Sequence, residues 1–300
     1  DFVDWGEQNY PADNIALVIW DHGSGWRNVF RSVRGKPGGN MPSRLRALSQ
    51  DYVTGNEIET WELPLALAGL PHKLDMLIID CSLEQMVEVE HEVYPYAKVL
   101  VGSEDSPPGQ GYPYHLWLAD LRAEGANPCD VGTHIVQDFI NFYNTNYPGY
   151  TDITQSMIDL SRMPNVASYL NSFAGALIND QNSEPSLISS ARNSAQGYEN
   201  SIDLYAGNKD LIDYVSKIRS GSHSNAVQQA ASNLETAVTG TNGAVIISGH
   251  GAAGDPGSYG MAVWVPTPAD YAAVGTYTNL SLVQSGAAPL WAQFLQNQVQ

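Results

Sequence analysis

Short apolar runs alternate with amphipathic stretches through the first half of the chain. "NIALVIW" (14–20) and "LDMLIID" (74–80) are rich in β-branched residues and show no polar face, the pattern of strands buried on both sides. Between them, "EIETWELPLALAGLP" (57–71) has helical spacing and stops at Gly69 and Pro71, so a strand, helix, strand unit is expected. "SLEQMVEVEHEVYPYA" (82–97) reads as a second helix with Leu83, Met86, Val87 and Val93 on one face, and "KVLVGSE" (98–104) as the next strand. The order predicts an α/β fold with a mostly parallel central sheet, whose ligands sit beyond the carboxyl ends of the strands. His22, Ser82 and Glu104 all fall at or just past such ends.

From about residue 150 the texture changes to Ala, Asn and Ser, with helical stretches near 162–179, 185–200 and 224–238. "GAVIIS" and "GMAVWVP" read as a late pair of strands around a Gly-rich loop, and "APLWAQFLQNQ" as a closing helix. The expected organisation is therefore an α/β unit over residues 1–150, with a helical region and its late strands over 151–300 packed on it. The opening "DFVDWGEQNYPADN" reads as a helix tail entering a loop, so the chain is expected to begin inside a fold.

Composition narrows the function. Only 14 Lys and Arg face 32 Asp and Glu, giving a net charge of −18, which repels nucleic acid phosphates and anionic lipid. No segment has the length and apolarity of a membrane span, and the first residues are not a signal peptide. Two cysteines, Cys81 and Cys129, are too few for a disulfide framework or a thiolate zinc site. Six of the 14 basic residues (Arg27, Arg31, Arg34, Lys36, Arg44, Arg46) crowd into 27–46 around a Pro-Gly-Gly break, which reads as a solvated loop.

The candidate chemistry lies at the strand ends. "WDHGSGW" puts His22 after a strand, followed by a glycine whose N–H can approach a ligand, and "DCS" puts Asp80, Cys81 and Ser82 after another. "GHGAAG" (249–254) fits the dinucleotide fingerprint, but only five residues separate it from the next strand, too few for the required helix. His250 follows the nucleophile candidates rather than preceding them. HExxH, Walker and GxSxG motifs are absent from the sequence.

These residues resemble the clostripain family of cysteine endopeptidases, in the caspase-like clan. The likeness rests on Asp80-Cys81-Ser82, Val87-Glu88-Val89, Ser103-Glu104-Asp105, Pro108-Gly109-Gln110-Gly111-Tyr112, "WDHGSGW", "MIDLSRM", "IDLY" and "GMAVWVP", in family order and over nearly the whole chain. It implies a caspase-like α/β/α sandwich. Registered on Val87-Glu88-Val89, the family aspartate falls on Asp80, its small residue on Cys81 and its nucleophilic cysteine on Ser82. Neighbouring residues at a strand end point in opposite directions, so Cys81 does not simply replace Ser82. In that clan the histidine stands too far away to activate a serine hydroxyl. The resemblance thus implies a cysteine endopeptidase in an inactive form, through either an introduced substitution or a natural serine. A non-catalytic binder of basic peptides and a serine hydrolase are the alternatives.

By resemblance, His22 and position 82 are catalytic, Gly23 and residue 82 supply the oxyanion hole, and Asp80, Glu104 and Asp105 are candidates for a pocket taking Arg or Lys. Self-activation by cleavage near Arg31, Arg34, Lys36, Arg44 or Arg46 is then expected, Pro37 making the bond after Lys36 a poor one. The resemblance further implies an N-terminal segment or chain completing the sheet, and a secreted or periplasmic protein that needs no cofactor for chemistry. Calcium is suggested by the family, with only a thin acid and glycine grouping at Asp255 to hold it.

Overall fold

The computed structural model describes residues 2–26, 48–50, 53, 57–123, 125–180, 184–199, 205–274 and 276–297. Nine strands occur among them: β1 (Ala16–Trp20), β2 (Leu48–Gln50), β3 (Glu57–Ile58), β4 (Leu74–Asp80), β5 (Ala97–Gly102), β6 (Thr154–Asp159), β7 (Asn208–Asp210), β8 (Val245–His250) and β9 (Ala262–Trp264). Five make the central sheet in the order β1-β4-β5-β6-β8. β1, β4 and β5 pair in parallel, whereas β6 runs antiparallel to both β5 and β8. Only β6 therefore opposes the common direction.

Alternation along β4 builds two cores. Met76 and Ile78 face a layer formed by the helix Pro128–Asn146, through Ile135 and Phe139. Leu77 and Ile79 face the other layer, where Val89, Phe173, Val215 and Leu234 come from four further helices. All seven residues of β4 are buried, as a strand covered on both faces requires. Each fully buried aliphatic side chain contributes about 1.5–3 kcal/mol of transfer free energy, which fixes the register. The result is the expected α/β/α sandwich. No helix among the described residues is long and apolar enough to cross a membrane.

Several elements differ from the sequence reading. The expected boundary near residue 150 is crossed by the sheet, since β6 and β8 complete it. The late strands part company: β8 joins the central sheet, while β9 pairs with β7. The expected helix over 57–71 shrinks to Leu63–Leu67. It is preceded by β3 and a 3-10 turn over Thr60–Glu62, whose start is capped by the Glu59 N–H bonding Glu62 Oε2 at 2.9 Å.

The helix expected from residue 82 starts only at Val87 and ends at Val93. Residues 83–86 instead turn back alongside the end of β5, with Leu83 N–H on Asp105 O at 3.4 Å and Gln85 N–H on Ser103 O at 3.0 Å. Backbone pairing there overrides the helical spacing of the side chains.

Candidate active site

Parallel pairing sets the site. Trp20 of β1 is opposite Asp80 of β4, so His22 and Ser82 each stand two residues beyond one paired step. Both line a single cavity of about 1110 Å³ at this end of the sheet, together with Asp80, Asp105, Asp152, Glu199 and Asp255. The loops after β1, β4, β5 and β8 and the one entering β6 all contribute. That is the crevice at the carboxyl ends of parallel strands which the fold leaves open.

The two residues after Asp80 both line the cavity but differ in surroundings. Cys81 is buried, and its thiol lies 3.7 Å from the Ile19 carbonyl of β1. Burial pushes that thiol well above the ordinary thiol range, and the Glu84 carboxyl adds to the effect. Such a sulfur stays protonated and inert. Leu83 then takes a left-handed φ of 66°, a conformation that a bulky residue seldom adopts without functional cause. The kink turns the chain out of strand geometry where Ser82 meets the cavity.

Loop 22–25 is held against this kink. Glu84 is wholly buried, and its Oε1 accepts the N–H groups of Ser24 at 3.1 Å and Gly25 at 3.0 Å. A Cβ on Gly23 would lie inside contact distance of the Ser82 carbonyl, 2.6 Å from Glu84 Oε1 and 2.8 Å from Ser82 N. Only glycine permits this approach. A Gly23→Ala variant is therefore expected to lose about 1–3 kcal/mol, read as a lower midpoint in urea, along with ligand binding at the cavity.

Asp80 forms part of the cavity wall. Its Oδ2 accepts the Tyr114 hydroxyl at 2.8 Å and the Tyr112 N–H at 3.2 Å. Burial raises its pKa, which those two donors partly offset. Gly111, at φ 69°, brings backbone to the same carboxyl, where a Cβ would sit 3.2 Å from Oδ2. Across the sheet, Thr154 Oγ1 accepts the N–H groups of Glu104 and Asp105, both at 3.0 Å, and so fastens the end of β5 to β6.

Glu104 and Asp105 then go separate ways. Asp105 faces the cavity, its carboxyl pushed up to about 8 by burial and by the charges of Asp255, Glu199 and Asp152. Glu104 lies beneath it at 1% exposure and outside the lining, accepting the Tyr198 hydroxyl at 2.8 Å and the Gly260 N–H at 3.1 Å. Its environment is that of a structural carboxyl, held protonated chiefly by burial and then by Asp210 beside it.

The family model described as the clostripain family matches residues 1–271. The chain belongs to the clostripain family. No curated protein matches it. Among solved structures, a secreted C11 cysteine protease from Bacteroides thetaiotaomicron, in complex with an irreversible peptide inhibitor, is 20% identical with a TM-score of 0.65, covering 94% of this chain and 74% of the other. An inactive zymogen C11 protease from Parabacteroides distasonis is 19% identical with a TM-score of 0.66, over 94% and 73%. A clostripain from Bacteroides thetaiotaomicron, in complex with the peptide inhibitor BTN-VLTK-AOMK, is 16% identical with a TM-score of 0.55, over 79% and 98%. These likenesses carry the fold.

Of the site residues read from this clostripain-family sequence, His22, Ser82, Asp80 and Asp105 come together at one cavity, Gly23 packs on Ser82, and Glu104 stands apart. The basic cluster Arg31, Arg34, Lys36, Arg44 and Arg46 lies outside the described residues. His250 bonds the Gly251 carbonyl through Nδ1 at 2.8 Å and is not among the lining residues. No group of three or more potential metal ligands occurs among the described residues. Sequence reasoning missed Asp21, Asp152 and Glu199, which also line the cavity, and it weighed Asp255 only as a metal ligand. With Asp80 and Asp105 they make six carboxyl side chains, and neither Lys nor Arg is among the described lining residues.

Proposed function

We propose that the cavity receives peptide segments bearing Arg or Lys, which enter over Asp80, and that this clostripain-family chain holds them without efficient cleavage because serine occupies position 82. One observation carries the reading: His22 and position 82 share a cavity whose charged lining, among the described residues, is almost wholly anionic. A cationic side chain would offset the part of the cost of burying Asp80 that Tyr112 and Tyr114 leave unmet. The Lys that ends the VLTK peptide of the inhibitor bound to the Bacteroides thetaiotaomicron clostripain supports a basic residue at the corresponding place here.

In the active form the nucleophile at 82 attacks the scissile carbonyl, His22 protonates the leaving amine, and the N–H groups of Gly23 and residue 82 receive the oxyanion. The secreted Bacteroides relative supports an extracytoplasmic location for this chain.

Peptide binding tests the reading. A peptide with a single arginine is expected to bind at least about 10-fold more tightly than its norleucine counterpart, and Asp80→Asn to weaken the arginyl peptide by about 2 kcal/mol or more. Equal affinity of the arginyl and norleucyl peptides in titration calorimetry would overturn it.

A further inference from the structure

The carboxylates of the cavity fall into two groups that follow the order of the sheet. Asp80 stands at the end of β4, fastened by Tyr112 and Tyr114. Asp105 follows β5, Asp152 precedes β6, and Asp255 follows β8, with Glu199 reaching the same wall from the loop after the helix Pro185–Ser194. Ser82 stands two residues beyond Asp80, and the N–H of Leu83 beside it bonds the Asp105 carbonyl at 3.4 Å.

The second group has an unmet demand. Asp255 is 9% exposed, and its Oδ1 accepts the Gln196 side-chain amide at 2.7 Å, while its Oδ2 has no hydrogen-bond partner. A buried carboxylate oxygen in that condition costs free energy until a donor arrives. Its neighbours on the wall are acids, and Asp105 is raised by burial first and then by the charges of Asp255, Glu199 and Asp152. The loops carrying these acids are also closely fitted, since a Cβ on Gly251 or Gly254 would collide with the Thr151 carbonyl. Asp152 and Asp255 are thus held together by backbone packing in spite of their repulsion. A second Arg or Lys on a peptide already held at Asp80 would bring such a donor.

We infer that Asp105, Asp152, Glu199 and Asp255 form a second cation subsite, which takes another Arg or Lys of the same peptide and makes the preferred ligand dibasic. This deepens the proposal above and rests on it for the first basic residue. Strands lie about 4.8 Å apart, so Asp80 and the centre of the second group are separated by roughly two strand spacings. An extended peptide advances about 3.3 Å per residue, which places the second basic residue within about three positions of the first.

Fluorescence anisotropy with labelled peptides tests this on the full chain. One peptide carries a single arginine, and six others add a second arginine at each of the three positions on either side. At least one dibasic peptide is expected to bind about 10-fold or more tightly than the single-arginine peptide, and the excess to disappear in Asp255→Asn and in Asp152→Asn. Asn tolerates the left-handed backbone of Asp255 (φ 51°), so that variant keeps the loop. If all six dibasic peptides bind like the single-arginine peptide, the second subsite is overturned while the first reading stands. If the single-arginine peptide fails as well, both fall. If the dibasic excess survives both variants, the assignment to these acids is overturned.

Discussion

With cysteine in place of Ser82, the protein is expected to cleave arginyl peptides at least about 10³-fold faster than the serine form. The argument starts from the nucleophile. A serine hydroxyl needs a base hydrogen-bonded to it, whereas a thiol can pass its proton to His22 and attack as a thiolate. The thiolate adds to the scissile carbonyl, His22 returns the proton to the departing amine, and water then hydrolyses the thioester. Cys81 is excluded from this role by its burial against Ile19 and its raised pKa, so Ser82→Cys with Cys81→Ala should keep the gained activity. The same variant is expected to cut itself after Arg31, Arg34, Arg44 or Arg46, visible as two fragments on a denaturing gel. Paired arginyl, lysyl and aspartyl peptides decide the specificity. A Ser82→Cys protein that still binds arginyl peptides yet leaves all three intact would show a binding protein, and labelling of the serine form by a phosphonate at Ser82 would show a serine hydrolase.

Legibility in the sequence followed how local each determinant is. β4 could be read to the residue, since an apolar run covered on both faces leaves no ambiguity of phase. The second helix was drawn five residues too early because Leu83, Met86 and Val87 keep helical spacing. What decides that segment is pairing with residues 103–105, more than fifteen positions away. At the site, His22, Asp80, Ser82 and Asp105 were visible because each closes a strand. Asp152, Glu199 and Asp255 sit in loops distant in sequence, and only the closing of β6 and β8 onto the sheet gathers them. Glu104 and Asp105 show the limit of reading adjacent acids: alternation buries one under Tyr198 and turns its neighbour to the cavity.

Those buried acids lead to the other large effect, a fold that grows less stable as pH rises. Burial pushes Glu84 up to about 8 and Glu88 up to about 7, and burial with neighbouring acids pushes Asp105 to about 8. In the unfolded chain such groups ionise near 4. The folded protein therefore holds protons that unfolding releases, and their contribution, complete below about pH 4, is lost as pH climbs through the folded values. His91 acts the other way. Burial lowers it to about 4, so its contribution is present above the ordinary imidazole value and lost as pH falls. Between pH 6.5 and 8.5 the carboxyls dominate, and at about 1.4 kcal/mol per unit the loss is on the order of 4 kcal/mol, a fall in Tm of roughly 5–10 °C. Relief of general repulsion in a chain of charge −18 would act in the same direction. Glu84→Gln separates the two, because the amide oxygen still accepts from Ser24 and Gly25 but cannot ionise. That variant should release about one proton fewer on unfolding at pH 6.5, measured from the buffer dependence of the calorimetric enthalpy, and should gain stability relative to the parent as pH rises. Exposed Asp13, changed to Asn, should leave both quantities where they were. A Tm that stays level or rises from pH 6.5 to 8.5 would mean that these carboxyls are already ionised in the folded protein. Each would then need a donor beyond the backbone and hydroxyl groups found around it.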